Sequence, residues 1–440
     1  MTNGAMGERG LLDVLLLQDY NTTVVVLGTT ALGLAAGFAG TLLLLRKRAL
    51  LGDVVSHAML PGVVAAFMVM RGLGGSGKNL FGLLIGATIS GLIAAWLVPV
   101  LRRASGLKDD AIMGIVLGGS FGLGIALMGI ALNTPGGNQA GLESFIFGKT
   151  ASMIRADALL IGWGAVVVLA ATLLLCKEFR LLCFDEQFAA SIGRRVDLLD
   201  GALMLIAVAV IVIGLQAVGL ILVIALLIIP ASAARFWSDG FVPSLVVAGT
   251  VGAASGWLGS TISALEAKLP AGAVIVLVTG GFFIVSMLAG TRRGLILRWI
   301  QAAGLRRRVR RQHLLRAMLE AGEGVGSVTI DMVCGRRRWT AQHVRRQLRR
   351  AQSAGEVLRS SAGAWHLTPS GLTAARRIVR NHRLWELFLI HHADIAPSHV
   401  DRDADLVEHV LDAPLMAELE ALLEADTTLP SSPHPLGGVT

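Results

Sequence analysis

Asp53 and His57 stand four residues apart in the mostly apolar stretch Leu50 to Val63, so a helix there sets a carboxylate and an imidazole on one face. One oxygen and one nitrogen donor so arranged suit Mn²⁺, Zn²⁺ or Fe²⁺. Ionisable groups within a membrane segment are costly and usually mark a pathway. The same spacing also fits a plainer arrangement, in which Asp53 caps a helix at an interface and His57 is a satisfied polar residue.

A second set of donors lies far along the chain. His382 and Glu386 are again related as i, i+4, and Asp405, Glu408 and His409 stand at i, i+3, i+4, so three donors share one helical face. Imidazole with carboxylates is hard-to-borderline chemistry that fits Mn²⁺, Fe²⁺ or Zn²⁺. Exposed polar positions and i, i+4 pairs give the same spacing. Before these residues, Thr340 to Arg350 has the make-up of a recognition helix. Thr340 is placed to cap it, Gln342, His343, Arg345, Arg346 and Arg349 form a polar and basic face, and Val344 and Leu348 are left for packing. Such a helix can enter a major groove while a following β-wing over 357–367 touches the backbone. The same composition serves a solvated or membrane-facing patch. Gly74 to Lys78 superficially resembles a phosphate-binding loop, but the glycine spacing is wrong and Asn79 follows, so no nucleotide is expected on this chain.

The elements that must position these groups are mostly membrane spans. Among 440 residues, 54% are hydrophobic and only 16% charged, against about a quarter charged in a soluble domain. Mean hydropathy is +0.68. The apolar excess fills the chain to about Gly290, after which it turns polar and basic. Segments long enough for a ~30 Å hydrocarbon core are read at 22–45, 54–70, 80–101, 112–132, 157–176, 199–215, 217–233, 241–262 and 271–290. The sixth and seventh form one run split only by Gln216, so eight or nine crossings are expected. Small residues, as in 32–40 and 114–129, allow close backbone packing where lipid supplies no hydrophobic drive between helices.

Basic residues fall on alternate loops: Arg46 to Arg48, then Arg102, Arg103 and Lys108, then Lys177, Arg180, Arg194 and Arg195. The positive-inside rule puts these loops in the cytoplasm, and nine crossings from an outer N-terminus deliver the basic tail there too. Cys176, Cys183 and Cys334 form no CxxC pair, which fits ordinary thiols in a reducing compartment. No basic n-region with a small-residue cleavage site opens the chain, so no removable signal peptide is expected. In the tail, 312–321 reads as helical, Gly355 ends the helix that Thr340 begins, Val357 to Leu367 alternates like a hairpin, and Pro369 starts a helix through about Ile390. The Ser-, Pro- and Gly-rich residues 426–440 are expected to be disordered.

The run LLGDVVSHAMLPGV, residues 50–63, closely resembles the signature of the manganese/zinc/iron permease family of ABC transporters. Further blocks resemble that family in order along the chain: Gly141 to Gly148, Phe184 to Ala189 leading to Gly193, Leu227 to Ala231, and Leu269 to Gly272. The resemblance implies that Asp53 and His57 line a metal path. It also implies that Phe184, Asp185, Glu186 and Gly193 belong to a coupling segment that docks on a separate ABC ATPase subunit. A second permease subunit, identical or related, and an extracytoplasmic metal-binding protein are further implied partners. One departure is that Lys268 stands where many members have an acid before the Leu-Pro block, with Glu266 two positions away.

The tail resembles the iron- and manganese-dependent repressors of the diphtheria toxin repressor family, through its winged helix followed by RIVRNHRLWELFL and DADLVEHVLD. That resemblance gives metal-binding roles to His382, Glu386, Asp405, Glu408 and His409. It departs at the first helix, where Arg311, His313 and Leu314 bring no carboxylate, and at Asp401, where the family has His.

The expected fold is an all-α polytopic membrane protein of the ABC importer permease type, with a soluble winged helix and a helical metal-binding and dimerisation domain. Its expected parts are a permease at 15–295, a winged helix at 305–368, repressor-like helices at 369–425 and the tail end at 426–440. The expected function is import of Mn²⁺, Zn²⁺ or Fe²⁺ across the inner (plasma) membrane, without enzymatic activity of its own. A cytoplasmic tail would respond to the same metal, with DNA as a further candidate partner. Two alternatives are a membrane-anchored metal-dependent transcriptional regulator and a permease for a metal chelate such as a siderophore or cobalamin.

Overall fold

A computed structural model describes residues 19–75, 79–133, 150–265, 269–322, 326–337, 339–361 and 363–392. It divides between Arg298 and Trp299 into two compact units.

The first unit is helical. Its elements are α1 (Tyr20–Leu45), α2 (Leu51–Gly72), α3 (Leu80–Ser105), α4 (Asp109–Leu132), α5 (Arg155–Leu174), the short α6 (Cys176–Phe184) and α7 (Glu186–Ser191), then α8 (Val196–Val218), α9 (Leu220–Ala234), α10 (Phe241–Leu265) and α11 (Ala271–Ala289). Eight of these, α1 to α5, α8, α10 and α11, are long and apolar enough to cross a membrane. The 15 residues of α9 reach only about 22 Å at 1.5 Å per residue, short of a ~30 Å core.

The expected division of the sixth and seventh segments at Gln216 is corrected. The helix runs through Val218 and breaks at Gly219, whose φ of 84° suits a residue without a β-carbon. Asp200, near the start of α8, bonds Arg46 and Arg48 just beyond α1. Phe241, soon after α9 ends, packs edge-on to Phe184 beside the same charges. A β-carbon on Gly272, at the start of α11, would lie 3.9 Å from the Val218 carbonyl. The α8–α9 pair therefore starts and finishes on one face and turns at Gly219 on the other. Arg103 pairs with Asp197, and Arg293 with Asp239 at 2.7 Å, so the basic loops and the exit from α11 share that first face.

Close packing rests on glycine. A β-carbon on Gly33 would fall 2.2 Å from the Gly252 carbonyl, and one on Gly252 would fall 2.1 Å from that of Gly33, so α1 and α10 meet backbone to backbone. With little apolar drive between helices in lipid, such contacts carry the packing.

The second unit begins within α12 (Leu295–Ala321), a single helix where the sequence suggested one only from 312. It continues with α13 (Ile330–Arg337), α14 (Ala341–Ser353), β1 (Val357–Arg359), β2 (Trp365–Leu367) and α15 (Pro369–His392). The strands pair antiparallel with Leu358 opposite His366, and Val328 adds a bridge to Trp365. Leu315, Met318, Val333, Val344, Leu348, Val357 and Trp365 form its core. This is the expected winged helix. Thr340 is the N-cap residue of α14, although its side chain makes no capping bond, and Gly355 ends the helix at φ 73°. Arg311 grips both Glu356 oxygens through Nε at 2.8 Å, tying α12 to the start of the wing. That hydrogen bond, partly opposed by burial, raises the Arg311 pKa.

Candidate functional site

Asp53 lies in the first turn of α2, where its charge complements the helix dipole, and His57 follows one turn on. His57 Nε2 and Asp53 Oδ1 are 3.3 Å apart, with side chains 26% and 33% exposed. With metal–ligand bonds of about 2.0–2.2 Å, two adjacent tetrahedral ligand atoms lie about 3.3–3.6 Å apart. The two side chains are thus in direct contact, at a separation that two ligands of one ion also adopt. It supplies two donors only, and no group of three or more His, Cys, Asp or Glu suited to a metal occurs among the described residues.

Three contacts that the sequence did not reveal fix this helix. Phe121 of α4 meets the His57 ring edge-on, with centroids 5.1 Å apart, and restricts its rotation. The Ser90 hydroxyl of α3 donates to the Ala58 carbonyl. A β-carbon on Gly62 would fall 2.1 Å from the Gly86 carbonyl, so α2 and α3 touch by their backbones one turn beyond Ala58. Spacing reveals the two donors. The residues that hold them come from helices whose pairing leaves no local signal.

The expected coupling residues form a compact corner. Phe184 ends α6, Asp185 caps α7 by accepting from the Phe188 amide at 2.8 Å, Glu186 begins α7, and Gly193 turns the chain at φ 78°. Phe184, Phe188 and Ile192 are exposed, and an open groove of about 640 Å³ runs along Phe184, Glu186, Gln187 and Asp197. Arg194 pairs with Glu178 at 3.2 Å and closes the corner. Burial disfavours the Arg46 charge, but its bond to Glu186 and the field of Asp200 outweigh this and raise its pKa.

Burial pushes the Cys183 thiol from 9.0 up to about 12, with Arg46 opposing and Asp200 adding to the rise. The raised value means that the folded state keeps its advantage below pH 9 and loses it as pH climbs from 9 towards 12. At pH 8 the thiolate fraction is then about 1,000-fold below that of an ordinary cysteine. Maleimide should label Cys183 slowly in the folded protein and readily after denaturation, which mass spectrometry of the modified peptide would read.

In the tail, α14 exposes Gln342, Arg345, Arg346 and Arg349, as well as its cap residue Thr340, and buries Val344 and Leu348, as expected. His343 is half-buried against Trp339, with ring centroids 5.6 Å apart, and Gln347 is an unforeseen buried polar residue. His382 is fully buried on α15, and Glu386 follows one turn later on the same helix. Asp405, Glu408 and His409 lie outside the described residues, as do the block Gly141 to Gly148, Glu266 and Lys268.

Residues 18–290 match the model of the ABC 3 transport family, and residues 368–434 match the iron dependent repressor, metal binding and dimerisation domain. The manganese transport system membrane protein MntC of Bacillus subtilis is 35% identical over 388 residues, 88% of each chain. An alignment of that length necessarily runs past residue 290 into the tail. The zinc transport system membrane protein TroC of Treponema pallidum is 40% identical over 281 residues, 64% of this chain and 93% of that one. Among solved structures, PsaBC from Streptococcus pneumoniae in complex with Fab aligns at a TM-score of 0.55 and 28% identity, covering 64% of this chain and 96% of the other.

Proposed function

The chain belongs to the ABC 3 transport family, as a multi-pass inner-membrane protein with a repressor-type domain after its spans, and we propose that it is the permease subunit of an ATP-driven importer of Mn²⁺. The observation that carries this reading is the 3.3 Å separation of Asp53 and His57 on a membrane helix, which is a ligand spacing. The donor set of carboxylate and imidazole also accepts Zn²⁺ and Fe²⁺. Mn²⁺ is favoured because a relative that matches both the spans and part of the tail is a manganese system. A siderophore or cobalamin needs a wide apolar pathway and gains little from such a pair. Uptake of radioactive Mn²⁺, Zn²⁺ and Fe²⁺ by the reconstituted complex tests this choice. Faster uptake of Zn²⁺ or Fe²⁺ than of Mn²⁺ would overturn it.

Two donors leave an ion short of its usual four to six ligands. A second permease subunit across the pathway would supply more. An ATPase would dock in the groove along Phe184 and Glu186, and an extracytoplasmic binding protein would deliver the ion on the opposite face. The basic loops share one face with the exit to the tail, and the positive-inside rule assigns that face to the cytoplasm. ATP-driven movement of the docked corner then alternates access to Asp53 and His57.

The tail is read as a sensor of arriving metal, with His382, Glu386, Asp405, Glu408 and His409 as its donors. Of these, only His382 has a described side chain, and its full burial suits a fixed ligand better than a surface imidazole. Removing residues 305–440 should leave uptake unchanged at low internal Mn²⁺. The intact protein should slow by at least about fivefold as internal Mn²⁺ rises, and the shortened one should not. Equal responses in the two proteins would remove the sensor role. The exposed Arg345, Arg346 and Arg349 also favour a second reading of the tail, contact with DNA phosphates, which a salt-dependent gel shift would test.

A further inference from the structure

The turn between α1 and α2 is built around buried charge. Lys47 adopts φ 59°, the left-handed conformation in which a helix C-terminus usually places glycine. The Arg48 amide then donates back to the Leu43 carbonyl at 2.8 Å, and the Arg48 carbonyl accepts from the Leu51 amide at 2.9 Å. Arg48 thus closes α1 and opens α2 in one residue. Its side chain donates to Asp200 Oδ2, while Arg46 donates to Asp200 Oδ1 at 3.1 Å, to Glu186 at 2.9 Å and to the Leu182 carbonyl at 3.0 Å.

Arg48 is 5% exposed and Asp200 8%, so both charges are withdrawn from water. Such a cluster is weak as a stabilising device, because well-packed apolar residues in its place are often as good or better. What it adds is geometry. One carboxylate holds both arginines, and so joins the start of α2, the α6–α7 corner and the start of α8. Glu186, half-exposed at the docking groove, is its outer edge, and Asp53 lies five residues beyond Arg48.

We propose that the Arg46–Arg48–Asp200 cluster is the rigid link that carries movement of the docked corner into α2, and thereby sets whether Asp53 and His57 hold or release the ion. The inference rests on the permease reading above. These are positioning residues, acting through the helix that bears the donors and never on the ion itself.

The test is the number of Mn²⁺ ions moved per ATP hydrolysed by the complete complex in proteoliposomes. Asp200→Asn and Arg48→Met should lower that ratio at least about tenfold while hydrolysis stays within about twofold of the original. Arg48→Lys, which keeps the charge but loses the fork, should fall between them and the unaltered protein. An unchanged ratio in Asp200→Asn overturns the link. So does a parallel fall of uptake and hydrolysis at constant ratio, or Arg48→Lys no better than Arg48→Met. Should Asp200→Asn fail to assemble, Arg48→Met decides on the same ratio. An unaltered complex that hydrolyses ATP and moves no ion would instead defeat the permease reading, and the link with it.

Discussion

Asp53→Ala and His57→Ala should each lower Mn²⁺ uptake by at least about 100-fold, because losing even an outer-shell partner of a metal costs 10–100-fold and these are the donors themselves. The expectation follows from the 3.3 Å spacing, which brings one oxygen and one nitrogen donor within reach of a single ion. A dehydrated divalent ion between helices has no water to replace a missing ligand. Asp53→Asn should be nearly as damaging, since it keeps the shape but removes the negative charge that offsets the ion's. Phe121→Leu should be milder, because it frees the His57 ring without removing a donor. The check is initial uptake in proteoliposomes with ATP hydrolysis measured in parallel, which separates loss of the path from loss of the complex. Uptake surviving both alanine substitutions would leave the pair as a plain interfacial hydrogen bond.

These donors were legible because they are local: the i, i+4 rule needs only five residues of sequence. The winged helix was legible for the same reason, with Thr340, Gly355 and Pro369 punctuating the chain where α14, the wing and α15 begin or end. The spans were legible as apolar length, but the break between α8 and α9 was not, because the run is apolar throughout and Gly219 is one of many glycines. Arg46 and Arg48 could be read as basic loop residues that orient the protein. Their partner Asp200 stands more than 150 residues away, and no local pattern announces it. The same is true of Phe121 and Ser90 against α2. Composition shows what a helix carries, and only the packing shows what it leans on.

Glycine makes the point with the largest stability effect, and Gly62→Val should cost about 3 kcal/mol or more, at the upper end of overpacking effects. A β-carbon there would sit 2.1 Å from the Gly86 carbonyl and 2.5 Å from the Ser90 β-carbon, and neither a backbone nor a pinned side chain can yield without parting α2 from α3. Separation would also break the Ser90 bond to Ala58, the residue next to His57, so uptake should fall with stability. Even Gly62→Ala meets that carbonyl and should be destabilising. Gly162→Ala, on α5, is the matched control. Nothing lies within 4 Å of its β-carbon, and alanine is the better helix former by about 0.8–1.0 kcal/mol, so it should leave stability unchanged or raise it. Thermal unfolding in detergent compares the three. Similar melting temperatures for Gly62→Ala and Gly162→Ala would mean that α2 is not held against α3 by direct backbone contact, and that the donors on α2 owe their position to some other restraint.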